Sequence, residues 1–370
     1  MLPDVLLLPD GSRATDAATW RTRHRPELLA LLERHVYGTA APVRVAQIIA
    51  RRGPWPIAGG TAEELELALW PNLPPLTLML ARPTGTAPAP CLVGLNFTGN
   101  HTLVSAPVTM VDGLGLYGEP RSIPRNQHAP DWCIEALVAR GWAVATAFYG
   151  ELEHDAAQPR TALSRRWQSD GIADGGALSS WAWQLQRIID VLVADPAIDA
   201  RRLVAVGHSR LGKAALWAAA QDERIAAVIA NQSGCGGAAP ARQCAPDAET
   251  IRHITARFGY WFSPAYALAA DDPTVIPVDQ HHLLALIAPR PLILSNAEGD
   301  RWADPAGQLA AMLAAAPAWF DTTAAAPTAM PPVGSGGGHR LRWWWRLGPH
   351  ALTPAEWAAW LPILDEELPA

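Results

Sequence analysis

A three-layer α/β architecture, with a mostly parallel central sheet between two layers of helices, is what this sequence predicts, and three observations predict it. The runs Cys91–Phe97 and Trp142–Phe148 are continuously apolar, as in strands covered on both faces. Segments of helical spacing alternate with such runs, and polar or glycine-containing loops follow the runs, at 98–101 and 149–151. In chain order, residues 25–36 read as a helix, and 44–51, 63–69 and 76–82 as shorter strands divided by Pro and Gly, an antiparallel entry to the sheet. After the two apolar runs, residues 174–195 place Trp181, Leu185, Ile188, Ile189 and Leu192 near one helical face, and Asp195-Pro196 closes the segment. A strand at 203–206, a helix to about 220 and a strand at 225–230 precede an insertion from about 232 to 288. Beyond it come a strand at 291–295, a helix from Pro305, a loop-like tract at 324–338, a strand at 341–345 and a final helix from Thr353-Pro354. There is no internal repeat, and one catalytic domain over residues 1–370 is expected.

With 49% apolar and 17% charged residues the chain supports a buried core and is neither disordered nor a coiled coil. A net charge of −6 offers no footprint for phosphate backbones, and no apolar run is long enough to span a bilayer, so neither nucleic acid nor membrane is an expected partner. A monomer is expected. Residues 1–10 lack the basic and long apolar regions of a signal peptide. Cys91, Cys133, Cys235 and Cys244 lack metal spacing; Cys235 and Cys244 are near enough in sequence for a disulfide, but free buried thiols are the expected reading. The adjacent His281 and His282 are expected to point apart, with no third ligand spaced for zinc, so no metal is called for.

The most informative segment is Gly207-His208-Ser209-Arg210-Leu211-Gly212-Lys213, entered from Leu203–Val206 and left through an alanine-rich helix. Strand, sharp turn and helix with Ser209 at the apex describe the nucleophile position of an α/β-hydrolase, where the helix N-terminus offers N–H groups to an oxyanion. The second glycine arrives one residue late, at Gly212, so a helix-capping serine is the competing reading. What favours the nucleophile is order: Asp300 follows a strand and His350 lies near the end, giving serine, acid, histidine.

From Trp181 onward the chain resembles the glucuronoyl esterases of carbohydrate esterase family 15, of bacterial type. The resemblance rests on 207–213, on Gln232–Ala239, Leu283–Pro291 and Asp300–Pro305, and on Gly348–Pro354. It implies an α/β-hydrolase that cleaves, without a cofactor, the ester between a 4-O-methyl-glucuronate carboxyl on xylan and a lignin alcohol, in a secreted or periplasmic setting. Residues 1–10 are in keeping either with a cytoplasmic chain or with numbering that starts at a mature or trimmed form. An acetyl-xylan or other carbohydrate esterase, and a catalytically silent carbohydrate-binding relative, are the alternatives.

Ester chemistry sets the roles. A serine hydroxyl attacks a carbonyl only when an imidazole takes its proton, and His350, before the capped helix Thr353–Glu356, is the expected base. His339 is its local rival but falls at the wrong end of the 341–345 strand. Many relatives carry a glutamate where this chain has Gln232, and an amide cannot supply that charge. The acid is therefore placed on Asp300, with Glu298 as the alternative, and Gln232→Ala is expected to change little. Asp304 reads as a helix cap. The Arg210 backbone N–H is in place for an oxyanion, and the resemblance adds its guanidinium. By the same resemblance Lys213, Gln243, Glu249 and Trp302 bind the sugar. The cysteine pair of the fungal members is replaced by His208 and Ala351. Trp343-Trp344-Trp345 would face alternate sides of a strand, so part of the trio is core rather than a polysaccharide platform.

Overall fold

The computed structural model describes residues 2–85, 87–111, 113–114, 120–157, 162–320 and 323–369. Its centre is a ten-stranded sheet. In chain order the strands are β1 (Gln47–Ile57), β2 (Gly60–Ala68), β3 (Leu76–Pro83), β4 (Ala89–Asn96), β5 (Ala143–Phe148), β6 (Ile198–His208), β7 (Ala227–Asn231), β8 (Leu292–Ala297), β9 (Gly336–Gly337) and β10 (Leu341–Arg346). The spatial order is β1-β2-β3-β5-β4-β6-β7-β8-β10-β9. Pairing is antiparallel from β1 to β5, parallel from β5 through β10, and antiparallel again at β9.

The antiparallel entry and the apolar runs fall where the residue pattern puts them. β1 differs, continuing through Pro54 and Pro56 with two register shifts. Proline gives no N–H to a ladder, and β1 tolerates two because it is an edge strand. The helix expected at 25–36 holds α-geometry only over Arg25–Leu32, with wider turns at Trp20–His24 and Glu33–Tyr37.

Alternating side chains of the parallel strands feed two cores. Leu203, Ala205, Leu292 and Leu294 join the larger one, and Val204, Val206 and Ile293 the smaller. The larger core is covered by α1 (Ala177–Val193) and α2 (Arg210–Gln221), the smaller by α3 (Pro354–Glu367) with Trp357, Trp360 and Leu364. α1 is buried almost all round, including Trp181 and Trp183, which makes it a central support for the strand that delivers Ser209. Trp343 is fully buried and its two neighbours half-buried, with the Trp345 indole donating to Pro331 O at 2.9 Å, so the trio packs the protein. No helix among the described residues is long and apolar enough to cross a membrane.

Candidate active site

Ser209 sits between β6 and α2 with φ 57° and ψ −128°. A non-glycine residue holds such a backbone only where its surroundings enforce it. Here Ser209 N donates to Asn231 O at 2.8 Å, and the glycines on either side let the turn close. A Cβ on Gly207 would lie 2.0 Å from Leu211 O, and one on Gly212 would lie 3.0 Å from Gly207 O and 3.2 Å from the Ser233 Cβ. The late glycine thus meets the same close approach of strand and helix that the usual spacing serves. Ser209 makes no side-chain cap bond to its helix, which removes the competing reading.

The loops after β8 and β10 bring acid and base together. Glu298 N donates to Arg346 O at 2.8 Å and Gly299 N to Gly348 O at 3.1 Å, where a Cβ on Gly299 would be 2.8 Å from that oxygen. At their tips His350 Nδ1 and Asp300 Oδ2 are 2.6 Å apart, with the aspartate buried. This engages Nδ1 and leaves Nε2 as the nitrogen for a substrate or nucleophile. Glu298, the alternative acid, is exposed and takes no part through its carboxylate among the described contacts. Ser209 and His350 line one cavity of about 340 Å³, with no hydrogen bond between them among the described residues. Leu95, Phe97, Trp132, Leu352 and Trp360 form its apolar wall. His339 instead meets Glu367 at 3.1 Å, at the far end of β10.

Arg210 also lines the cavity, but its charge is tied down in a way the sequence did not disclose. The guanidinium pairs with the buried carboxylate of Asp155, which also accepts from Tyr149 Oη (3.1 Å), Tyr260 Oη (2.8 Å) and Trp261 Nε1 (2.7 Å). Its carbon lies 4.7 Å from the Trp261 ring centre. Burial, then the Asp155 charge, push both tyrosine hydroxyls far up in pKa, so they remain donors. Asp155 offsets the repulsion between a cation at a helix start and the helix dipole.

The expected sugar-binding set is only partly assembled. Lys213 is buried and its ammonium donates to the carbonyls of Ser233 and Cys235, the latter at 2.7 Å, so two of its three donors hold this loop. Burial lowers its pKa, opposed first by the Glu249 carboxylate. Glu249 N donates to Trp302 O at 3.0 Å, and Trp302 is 50% exposed, which leaves much of its ring open to a ligand. Gln243 is exposed, and no described contact ties it to the other three. Asp304 caps the helix Pro305–Ala315 through Gly307 N at 2.9 Å, as expected.

The contacts of three residues escaped sequence reasoning. Asn96, fully buried, accepts from Thr98 N and Gly99 N (3.2 and 2.7 Å) and so shapes the loop after β4 beside the cavity. His208 lies with its ring centre 4.4 Å from that of His350, and burial, then the charge of His350, hold its pKa well below the usual range. Gln232 grips the backbone of Ala351, a tie that the expectation for Gln232→Ala left out. His281 and His282 do not point apart: their ring centres are 3.9 Å apart, although their partners, Pro3 O and Asp279 N, differ. Among the described residues no cluster fit for a metal ion occurs, and all four cysteines are free.

A strained serine at a strand–helix turn, a histidine on a buried aspartate and a mostly parallel sheet define a hydrolase of the α/β-hydrolase fold. A family model described as glucuronyl esterase, fungi, matches residues 139–322. The chain is 30% identical to a carbohydrate esterase of an unknown prokaryotic organism, over 99% of this chain and 89% of that one. It is 29% identical to a 4-O-methyl-glucuronoyl methylesterase of Phanerochaete carnosa, over 86% and 71% of the two chains. Among solved structures, a glucuronoyl esterase from Solibacter usitatus superposes with a TM-score of 0.91 at 33% identity, covering 99% of this chain and 97% of that one. The chain belongs to the glucuronoyl esterases of carbohydrate esterase family 15, and is a carboxylic ester hydrolase.

Proposed function

We propose that the protein hydrolyses esters of 4-O-methyl-glucuronate on xylan, with Ser209 as nucleophile, His350 as base and Asp300 as the acid that orients it. The observation that carries the reading is the 2.6 Å contact of His350 with buried Asp300, at the edge of the cavity that Ser209 shares. His350 Nε2 takes the serine proton as Oγ attacks the ester carbon, then returns it to the departing alcohol; water repeats the sequence on the acyl-enzyme. The Arg210 N–H and guanidinium stabilise the oxyanion, the latter held in place by Asp155. Lys213, Glu249 and Trp302 form the sugar side, with Gln243 at its margin, and the curated relative's name supports a glucuronoyl substrate. Lignin alcohols on the leaving side fit the apolar cavity wall, and such material is met outside the cell, so a secreted or periplasmic setting goes with this reading. The whole chain acts as one catalytic domain, as the coverage of its relatives supports.

The test compares wild type and Ser209→Ala on methyl glucuronate and on an acetylated xylan. Turnover of the uronate ester, lost by ~10⁴-fold or more in the variant, is expected. Equal turnover by both proteins would refute the nucleophile, and a preference for acetate would move the acyl group.

A further inference from the structure

The loop that carries His350 has little packing of its own. Leu347 is 71% exposed, and Pro349 and His350 are exposed as well, so apolar burial does not fix the imidazole. Hydrogen bonds fix it from two sides.

From the end of β10, buried Arg346 donates through Nη1 to Leu347 O (2.9 Å) and through Nη2 to Pro349 O (3.2 Å) and Ala351 O (2.8 Å). Its Nε pairs with Glu356, which is fully buried and also accepts from Thr353 N at 3.0 Å. One guanidinium therefore gathers alternate carbonyls of the loop and anchors them to the start of α3. From the residue after β7, Gln232 closes the other side: Nε2 donates to Ala351 O at 2.9 Å and Oε1 accepts from Ala351 N at 3.1 Å. Gln232 itself is held at φ 53°, a left-handed conformation that a non-glycine residue keeps only under constraint. Asn231 Nδ2 adds a longer contact to Ala351 O at 3.4 Å.

We propose that Gln232 and Arg346 are positioning residues for His350, setting where its Nε2 stands relative to Ser209. This rests on the reading of His350 as the base. An amide is the matching group at 232, because it offers one donor and one acceptor to one acceptor and one donor of Ala351. A carboxylate there offers only acceptors and faces the Ala351 carbonyl with like polarity, while a methionine offers neither bond at nearly the same volume. Displacement of a catalytic group by ~1 Å costs on the order of 100-fold in rate without weakening substrate binding.

The experiment measures kcat and KM on methyl glucuronate for wild type, Gln232→Met, Gln232→Glu and Arg346→Lys, with His350→Ala as control. Both Gln232 variants are expected to lose roughly 10- to 100-fold in kcat while KM stays within about two-fold. Arg346→Lys, whose three donors cannot serve three carbonyls and Glu356 at once, is expected to lose at least as much. Should it fail to fold, the Gln232 pair decides. A wild-type kcat in either Gln232 variant, or a change confined to KM, overturns the proposal. Full turnover by His350→Ala would bring down the reading beneath it as well. An inactive His350→Ala beside a normal Gln232→Met would sink this inference alone.

Discussion

The two sides of Ser209 are built differently. On the base side nearly every polar group is engaged: Asp300 with His350, Arg346 with three carbonyls and Glu356, Gln232 with both polar groups of Ala351. On the sugar side Trp302 and Gln243 face solvent, and only Lys213 is buried, bound to the loop carbonyls of Ser233 and Cys235. Proton transfer needs donor and acceptor within about 3 Å of each other at the moment of reaction, which a prepaid network secures. Recognition of a sugar can use a surface that the ligand itself completes, so its residues need less fixing in advance. The contrast assigns changes in kcat to one side and changes in KM to the other.

That contrast can be broken in three places. The largest effect belongs to Asp155→Asn, which removes the buried carboxylate paired with the Arg210 cation. A loss of about 3–5 kcal/mol in stability is expected, read by denaturant unfolding, together with a lower kcat in the protein that remains folded. A stability near wild type would show that Arg210 does not depend on this carboxylate. Next, Trp302→Ala should raise KM for methyl glucuronate by roughly tenfold with kcat nearly kept, because it removes an exposed ring that would cover a sugar face. If kcat fell instead and KM held, the division between the two sides would fail.

The smallest effect concerns acid. His208 is held neutral by burial, so the unfolded chain takes up a proton at this position below pH 6.5 that the native chain refuses. Stability that is full above that pH must therefore fall as pH drops below it, by up to ~1.4 kcal/mol per pH unit from this group. His208→Gln should flatten the decline of the melting temperature between pH 6.5 and 5, and an unchanged slope would remove His208 as its source.

Much of this architecture is legible in the residues. The parallel strands announce themselves because both faces are covered, so 91–97 and 142–148 read as continuous apolar runs. Ser209, Asp300 and His350 are legible through their order and their glycine-bearing loops, and the structure brings the three to one place. What stays hidden is pairing over long separations. Asp155 lies 55 residues from Arg210, and Gln232 lies 119 from Ala351; neither leaves a periodic trace. Local pattern also misleads where tertiary position overrides it. Pro54 and Pro56 look like the end of a strand and are tolerated in one because β1 has a free edge. Lys213, read as a ligand for sugar hydroxyls, also gives two of its donors to its own loop, a contact that its spacing does not announce.

The account stands or falls on the aspartate behind the histidine. Turnover of methyl glucuronate by Asp300→Asn, measured beside Glu298→Gln under saturating substrate, examines it most directly. A fall of about 10⁴-fold in kcat for the first variant, with a rate near wild type for the second, is predicted. An active Asp300→Asn, or a loss of similar size at residue 298, would contradict it.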